Sequence, residues 1–333
     1  MLSRMASDPE PWNGARFDAM SQAGHYESWF VRANAPQGEG AFWIRYTIFS
    51  PRGRPQDAVG ELWAITFSTG EIVAVKEDQP IARCAFARDR LHAVVGGAAL
   101  DAGSLRGHAS ANGHTIEWDL SYGSEETPIF LLPERLYGAR FPRAKALVNR
   151  PLAVFNGSLH VDGVALGITD WVGSQNHNWG SRHTDRYAWG QVAGFDEEPD
   201  AFLECSTARL KLGPLWTPPI SMAVVRLRGE TFAFNGLGRA LRAVGAYSPY
   251  SWRLATGDKK RSLRVDIDGS PEGFVALRYP NPPGGTKICL NSKVARCELR
   301  LSERDRPAIV LHSSRAAFEI LDDGAPAGVK AAV

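Results

Sequence analysis

AFWIRYTIF, residues 41–49, alternates its side chains with a period of two. In an extended strand Phe42, Ile44, Tyr46 and Ile48 share one face, and Trp43, Arg45, Thr47 and Phe49 share the other. GELWAITFS, residues 60–68, repeats the pattern, with Glu61, Trp63, Ile65 and Phe67 set against Leu62, Ala64 and Thr66. Strands that are aromatic on both faces are expected to be covered on both. An arginine or glutamate in such a strand then needs a partner, or must face a wet cavity.

The turns agree with this reading. Asn112-Gly113 and Asp162-Gly163 each separate two alternating runs, and both dipeptides suit a two-residue hairpin that requires positive φ. Further strands are expected at 187–195, 201–212, 220–228, 230–235, 262–268, 273–279, 285–291, 294–301 and 315–321. Helix signals are few and short, near 143–149 and 238–247. Many short strands separated by Gly and Pro predict an all-β chain of antiparallel barrels or a sandwich.

A length of 333 residues suggests two domains of about 150 each. The expected organisation is a loose polar arm over 1–20, one domain over 21–190 and a second over 191–325. Apolar residues make up 44% and charged residues 22%, which excludes a disordered chain. A net charge of +2, with no basic run, argues against nucleic acid as a partner. No stretch approaches a membrane span, and the start MLSRMASDPEPWNG lacks the apolar core of a secretion signal. A cytoplasmic protein with reduced cysteines is the expectation. Cys84, Cys205, Cys289 and Cys297 form no metal-spaced pair, although Cys289 and Cys297 could face each other on paired strands.

SQNHNWGSRH, residues 174–183, is the densest polar stretch. It reads either as an elaborate turn or as one wall of a site. In a turn, Asn176 and Asn178 cap the backbone, Gly180 supplies the unusual angle and Trp179 is core. In a site, His177 carries a proton, the asparagines orient a polar substrate end, and Trp179 and Trp189 offer ring faces that could meet each other across a short antiparallel return. Asp170, just before Trp171, is a candidate acid if the tryptophans desolvate it, or else a salt-bridge partner of Arg182 or Arg186. Glu27 beside Trp29, and Glu61 beside Trp63, pose the same choice, with Arg45 as a partner for either.

HYESWFVRANAPQGEGAFWIRYTIFSP, GELWAITF, GVALGITDWVGSQNHNWGSRH, YAWGQ and the late CLNSKVARCELRL together resemble the AttH-like family. That family includes the hydroxyneurosporene synthases, which are carotenoid hydratases; the tocopherol cyclases are more distantly similar. The resemblance runs from about Gly24 to Glu319. It implies two tandem lipocalin-like barrels, a hydrophobic cavity and a site near their junction. It also leads one to expect an acidic residue in the Trp-Gly element, where this chain has Asn176-His177-Asn178-Trp179-Gly180.

Other chemistries lack support. His160, His177 and His183 match no zinc spacing, no GxSxG elbow is present, and neither a P-loop nor a GxGxxG follows a strand. No metal and no cofactor are expected. Two functions remain, beside a structural pairing protein with no ligand, which fits the two-faced aromatic strands less well. One is a cofactor-free enzyme moving a proton on a hydrophobic, isoprenoid-type substrate, as hydratase, cyclase or isomerase, with Asp170 and His177 catalytic. The other is a lipocalin-like carrier of a hydrophobic small molecule. In either, Glu27, Trp29, Trp43, Arg45, Glu61, Trp63, Trp171, Asn176, Asn178, Trp179 and Trp189 would line the binding site.

Overall fold

A computed structural model describes residues 10–37, 40–68, 70–322, 329 and 332–333. Its first sheet uses β1 (His25–Asn34), β2 (Gly40–Ser50), β3 (Val59–Ser68), β4 (Glu71–Pro80), β5 (Cys84–Phe86) and β6 (His92–Val95). To these it adds β7 (Ala98–Asp101), β8 (Ser104–Ala111), β9 (His114–Gly123), β10 (Ala144–Val161) and β11 (Val164–Gly180). The order is β4-β3-β2-β1-β11-β10-β9-β8-β7-β6-β5, antiparallel throughout. The sheet curls until β4 meets β8, where the Ser110 amide donates to Glu77 Oε1 at 2.7 Å.

The second sheet begins with β12 (Arg186–Ala193) and β13 (Phe202–Arg209). A small hairpin of β14 (Lys211–Leu212) and β15 (Leu215–Trp216) intervenes. It continues with β16 (Ile220–Leu227), β17 (Glu230–Phe234), β18 (Val244–Ser248), β19 (Ser251–Gly257) and β20 (Arg261–Asp268). Last come β21 (Val275–Pro280), β22 (Thr286–Glu303) and β23 (Ile309–Asp322). The order is β17-β16-β13-β12-β23-β22-β20-β19-β18, with β21 on the other stretch of β22. This sheet also curls. A Cβ on Gly245 of β18 would lie 2.2 Å from Thr207 and Ser221, so only glycine permits that approach.

Each barrel-like sheet encloses its own core. Trp29, Phe42, Ile44, Tyr46 and Phe155 fill the first, and Phe195, Leu203, Trp252, Leu299 and Phe318 fill the second. A third cluster lies between them, where Phe30, Trp43, Trp63 and Phe67 pack on Trp189, Leu277 and Tyr279. The two-faced aromatic strands are therefore covered on both faces, one by their own barrel and one by the neighbouring barrel. Both hairpin dipeptides adopt positive φ, 56° and 85° at Asn112-Gly113 and 52° and 82° at Asp162-Gly163.

Some expectations change. Residues 144–161 form a strand, because pairing with β11, with a bridge from Val148 to Ile129 on the other side, overrides the helical propensity of RAKALVN. Near 238–247 only Leu237–Ala240 is helical, before β18. The runs 285–291 and 294–301 join into the single bulged strand β22. Cys289 and Cys297 lie on that same strand rather than on paired ones, and all four cysteines are free. Of the arm, 1–9 fall outside the described residues, while Asn13 and Ala15 are buried. The chain passes from the first sheet to the second between Gly180 and Arg186. Among the described residues no helix is long and apolar enough to cross a membrane.

Candidate functional site

A cavity of about 280 Å³ lies where the two barrels meet. Its apolar walls include Phe30, Trp43, Leu131, Trp189, Ile220 and Met222. Register builds its polar end. On neighbouring strands Trp189 faces Glu319 and Glu319 faces Asn291, while Tyr187 and Cys289 flank Leu321 two positions away. Glu319 is 8% exposed. Its Oε1 accepts from Asn291 Nδ2 at 2.8 Å and from Lys293 Nζ at 3.1 Å. Its Oε2 accepts from the Tyr187 hydroxyl at 3.4 Å. Burial pushes the Tyr187 phenol well above its ordinary value, so it stays protonated.

The first barrel contributes Arg45, in the row Phe30–Arg45–Trp63 across β1, β2 and β3. Its guanidinium lies 4.7 Å from the centre of the Tyr279 ring and 5.8 Å from that of Trp43. Arg45 is 7% exposed and its Nε has no hydrogen-bond partner. His183 stacks on Tyr26 at 4.1 Å, and burial followed by Arg45 lowers its pKa to about 3, leaving a neutral imidazole. Behind Trp189, Glu204 accepts from the indole Nε1 at 2.7 Å and from Gln191 Nε2 at 2.8 Å. Burial raises the Glu204 carboxyl to about 7 despite those bonds.

A second polar cluster closes the mouth of the first barrel. Glu27 is fully buried and accepts from the Arg16 amide at 2.9 Å. It lies 2.9 Å from His25 Nε2 and 2.9 Å from His177 Nε2. The other His177 nitrogen lies 2.7 Å from the Trp12 carbonyl. Both ring nitrogens thus face acceptors, which needs a proton on each or one shared with Glu27. The imidazole stacks on Trp29 at 4.7 Å, and Arg16 covers Trp179 at 3.8 Å. Burial opposes the charge on Glu27, but hydrogen bonds from His177 and His25 outweigh it and hold the carboxyl at about 2. Among the described residues, no group of three or more His, Cys, Asp or Glu could hold a metal ion.

The tocopherol cyclase-like family profile matches residues 97–321, well over half of the chain. This chain belongs to the tocopherol cyclase-like family. Two uncharacterized proteins of Mycobacterium tuberculosis, from strains CDC 1551 and H37Rv, are each 24% identical to it over 306 residues, spanning 91% of this chain and 86% of theirs. An AttH-like protein of Nitrosomonas europaea has a similar structure, with TM-score 0.58 and 13% identity over 93% of this chain and 97% of that one. Kievitone hydratase from Nectria haematococca gives 0.57 and 12%, over 95% of this chain and 91% of its own. These likenesses bear on the fold, which this tocopherol cyclase-like chain shares as a lipocalin-like, all-β architecture of AttH type.

In this family member the sequence-expected residues divide between the two clusters. The stretch 174–180 is neither a turn nor a single wall: it is the end of β11, and its alternation serves both sides. Asn178 lines the junction cavity, with His183 just beyond the strand. Asn176 joins a buried network, accepting from Gln191 Nε2 at 2.8 Å and donating to Ser174 Oγ at 2.8 Å. His177 and Trp179 face the barrel mouth with Glu27 and Trp29. Trp43, Arg45 and Trp189 line the cavity, and Trp63 packs behind Trp43. Trp171 stacks on Phe42 inside the first barrel. Because β11 and β12 belong to different sheets, Trp179 and Trp189 do not meet as a hairpin would have brought them.

The expected acids lie elsewhere. Asp170 is exposed at a φ of 52° and bonds Asn156, so the tryptophans do not enclose it. Arg182 and Arg186 pair instead with Asp185 and Asp322. Glu61 pairs with Lys76 at 2.9 Å on a second, open cleft that both barrels line, apart from the cavity of Trp43 and Trp189. Sequence reading missed Tyr187, Asn291, Lys293 and Glu319. One signal was available: Cys289, Asn291 and Lys293 recur every second residue in CLNSK, a polar stripe on a buried strand.

Proposed function

We propose that the protein is a cofactor-free enzyme that moves a proton on a hydrophobic, unsaturated substrate of isoprenoid type, held in the junction cavity. The reaction class is hydration, cyclisation or isomerisation, in keeping with a family described as cyclase-like and with the hydratase among the structural relatives. Glu319 carries this reading. A carboxylate, a lysine and an asparagine buried together against apolar walls are costly to desolvate, and a carrier of apolar ligands has no use for them. With Oε1 fixed by Asn291 and Lys293, Oε2 is the oxygen that exchanges a proton, directly or through the Tyr187 hydroxyl. Trp43 and Trp189 shape the apolar wall around the reacting double bond. The oxygens of Glu319 take the place first expected of Asp170, which lies outside the cavity.

The test is incubation of the purified protein with geranate and farnesoate in deuterium oxide, followed by mass spectrometry of the recovered probe. Deuterium incorporation by the wild type, and its loss in Glu319→Gln with probe still bound, is the expected result. A probe that binds and returns unlabelled would make the protein a carrier.

A further inference from the structure

One cation facing the junction cavity lacks a hydrogen-bonded partner. Glu319 is paired with Lys293 at 3.1 Å, and Glu61, a carboxylate near Arg45 but outside the cavity lining, shares Lys76 with Asp78 at 2.9 and 2.8 Å. The Lys145 ammonium, also on the cavity wall, is tied to the carbonyls of Ala139 and Pro142 at 2.9 and 2.7 Å. His183 is neutral, and the tyrosines are protonated. Arg45 remains, more than nine-tenths buried, and its guanidinium forms no hydrogen bond or ion pair among the described residues. Tyr279 and Trp43 hold it from the side without accepting a hydrogen bond from it.

Resting on the reading of this cavity as the substrate site, we infer that the substrate carries a carboxylate at its polar end and that Arg45 is the receptor for it. A guanidinium presents its donors as a planar fork that matches the two oxygens of a carboxylate. Tyr279, Glu61 and Glu319 favour the charge on Arg45 from a distance, but its donors are left without a hydrogen-bond acceptor, and an arriving carboxylate supplies one. A neutral alcohol offers one acceptor and no charge, and an ammonium is repelled. Beyond Arg45 the walls turn apolar at Phe30, Trp189, Leu131 and Met222, which suits a hydrocarbon body. The cavity volume of about 280 Å³ sits at the small end of the usual range for ligand pockets, so the body is short. The substrate class is therefore a short, unsaturated, hydrophobic carboxylic acid.

Calorimetric titration of the full chain with geranate, geraniol and geranylamine tests this, because the three share one body and differ in the head. The wild type is expected to bind geranate about 10- to 100-fold more tightly than geraniol, and geranylamine least. Arg45→Met should bring geranate down to the level of geraniol while leaving geraniol itself within about threefold; Arg45→Gln serves if the methionine variant does not fold. Equal wild-type affinity for geranate and geraniol, or a preference for geranate that survives both substitutions, overturns the carboxylate receptor and leaves the cavity standing as a binding site. If none of the three binds, the cavity reading falls and the inference with it.

Discussion

The mouth of the first barrel and the junction between the barrels are built from the same kinds of residue, to opposite effect. Each buries a glutamate and a histidine among tryptophans and has an arginine at hand, half-buried Arg16 at the mouth and buried Arg45 at the junction. At the mouth, Glu27 is met by the Arg16 amide, His25 and His177, and His177 is met on both nitrogens. At the junction, Glu319 has one oxygen fixed and one turned to Tyr187, and Arg45 has no acceptor among the described residues. Saturated polar clusters hold a fold together, and unsaturated ones are candidates for binding. The polar stretch around His177 is thus a latch for the segment Trp12–Phe17, and the proposed site lies across the strand from it.

This contrast breaks if substitutions in the two clusters behave alike. Glu27→Ala strands the buried His177 imidazole and the half-buried His25 and should lower stability by about 3–5 kcal/mol, measured by urea denaturation, with geranate affinity unchanged. His177→Ala should likewise lower stability and spare binding, the reverse of what a site residue would do. Two of the buried glutamates with shifted carboxyls, Glu27 and Glu204, should also differ in sign. Glu27, held at about 2, contributes stability that is present above its unfolded value and is lost as pH falls through about 2. Glu204, raised to about 7, contributes stability that is present at low pH and is lost as pH rises through about 7. Each limb is on the order of 3 kcal/mol. Denaturation midpoints of wild type, Glu27→Gln and Glu204→Gln from pH 3 to 8 would read both, with the acid limb flattened in the first variant and the neutral limb in the second.

Smaller effects sharpen the contrast. Arg45→Met exchanges a buried cation without a hydrogen-bond acceptor for an apolar side chain of similar length; losing the ring contacts and the nearby carboxylates' attraction offsets the relief of desolvation, so stability should stay within about 1–2 kcal/mol. A loss of about 3–5 kcal/mol would mean that Arg45 is a structural residue. Asp170→Asn keeps the bond to Asn156 and a residue tolerant of positive φ, so stability should stay within about 0.5 kcal/mol. Deuterium exchange should persist as well.

Much of the fold was legible in sequence, because period-two alternation and the Asn-Gly and Asp-Gly turns are local signals. The demand of Arg45 for a partner or a cavity was legible too, since a charge on a two-faced aromatic strand has few options. The site was half legible. Trp43, Arg45 and Trp189 stand out as single residues, whereas the Tyr187, Asn291, Lys293 and Glu319 group exists only through the register of three strands distant in sequence. Nothing local told Asn178 from His177. One residue of shift on a strand sends the side chain to the opposite face, and which face lines the junction cavity depends on the second barrel.

The most direct measurement is solvent deuterium incorporation into bound geranate by Glu319→Gln and Glu27→Gln, compared at a temperature where both remain folded. The account predicts no incorporation with the first and wild-type incorporation with the second. Exchange retained in Glu319→Gln and lost in folded Glu27→Gln would place the chemistry at the barrel mouth and contradict the account.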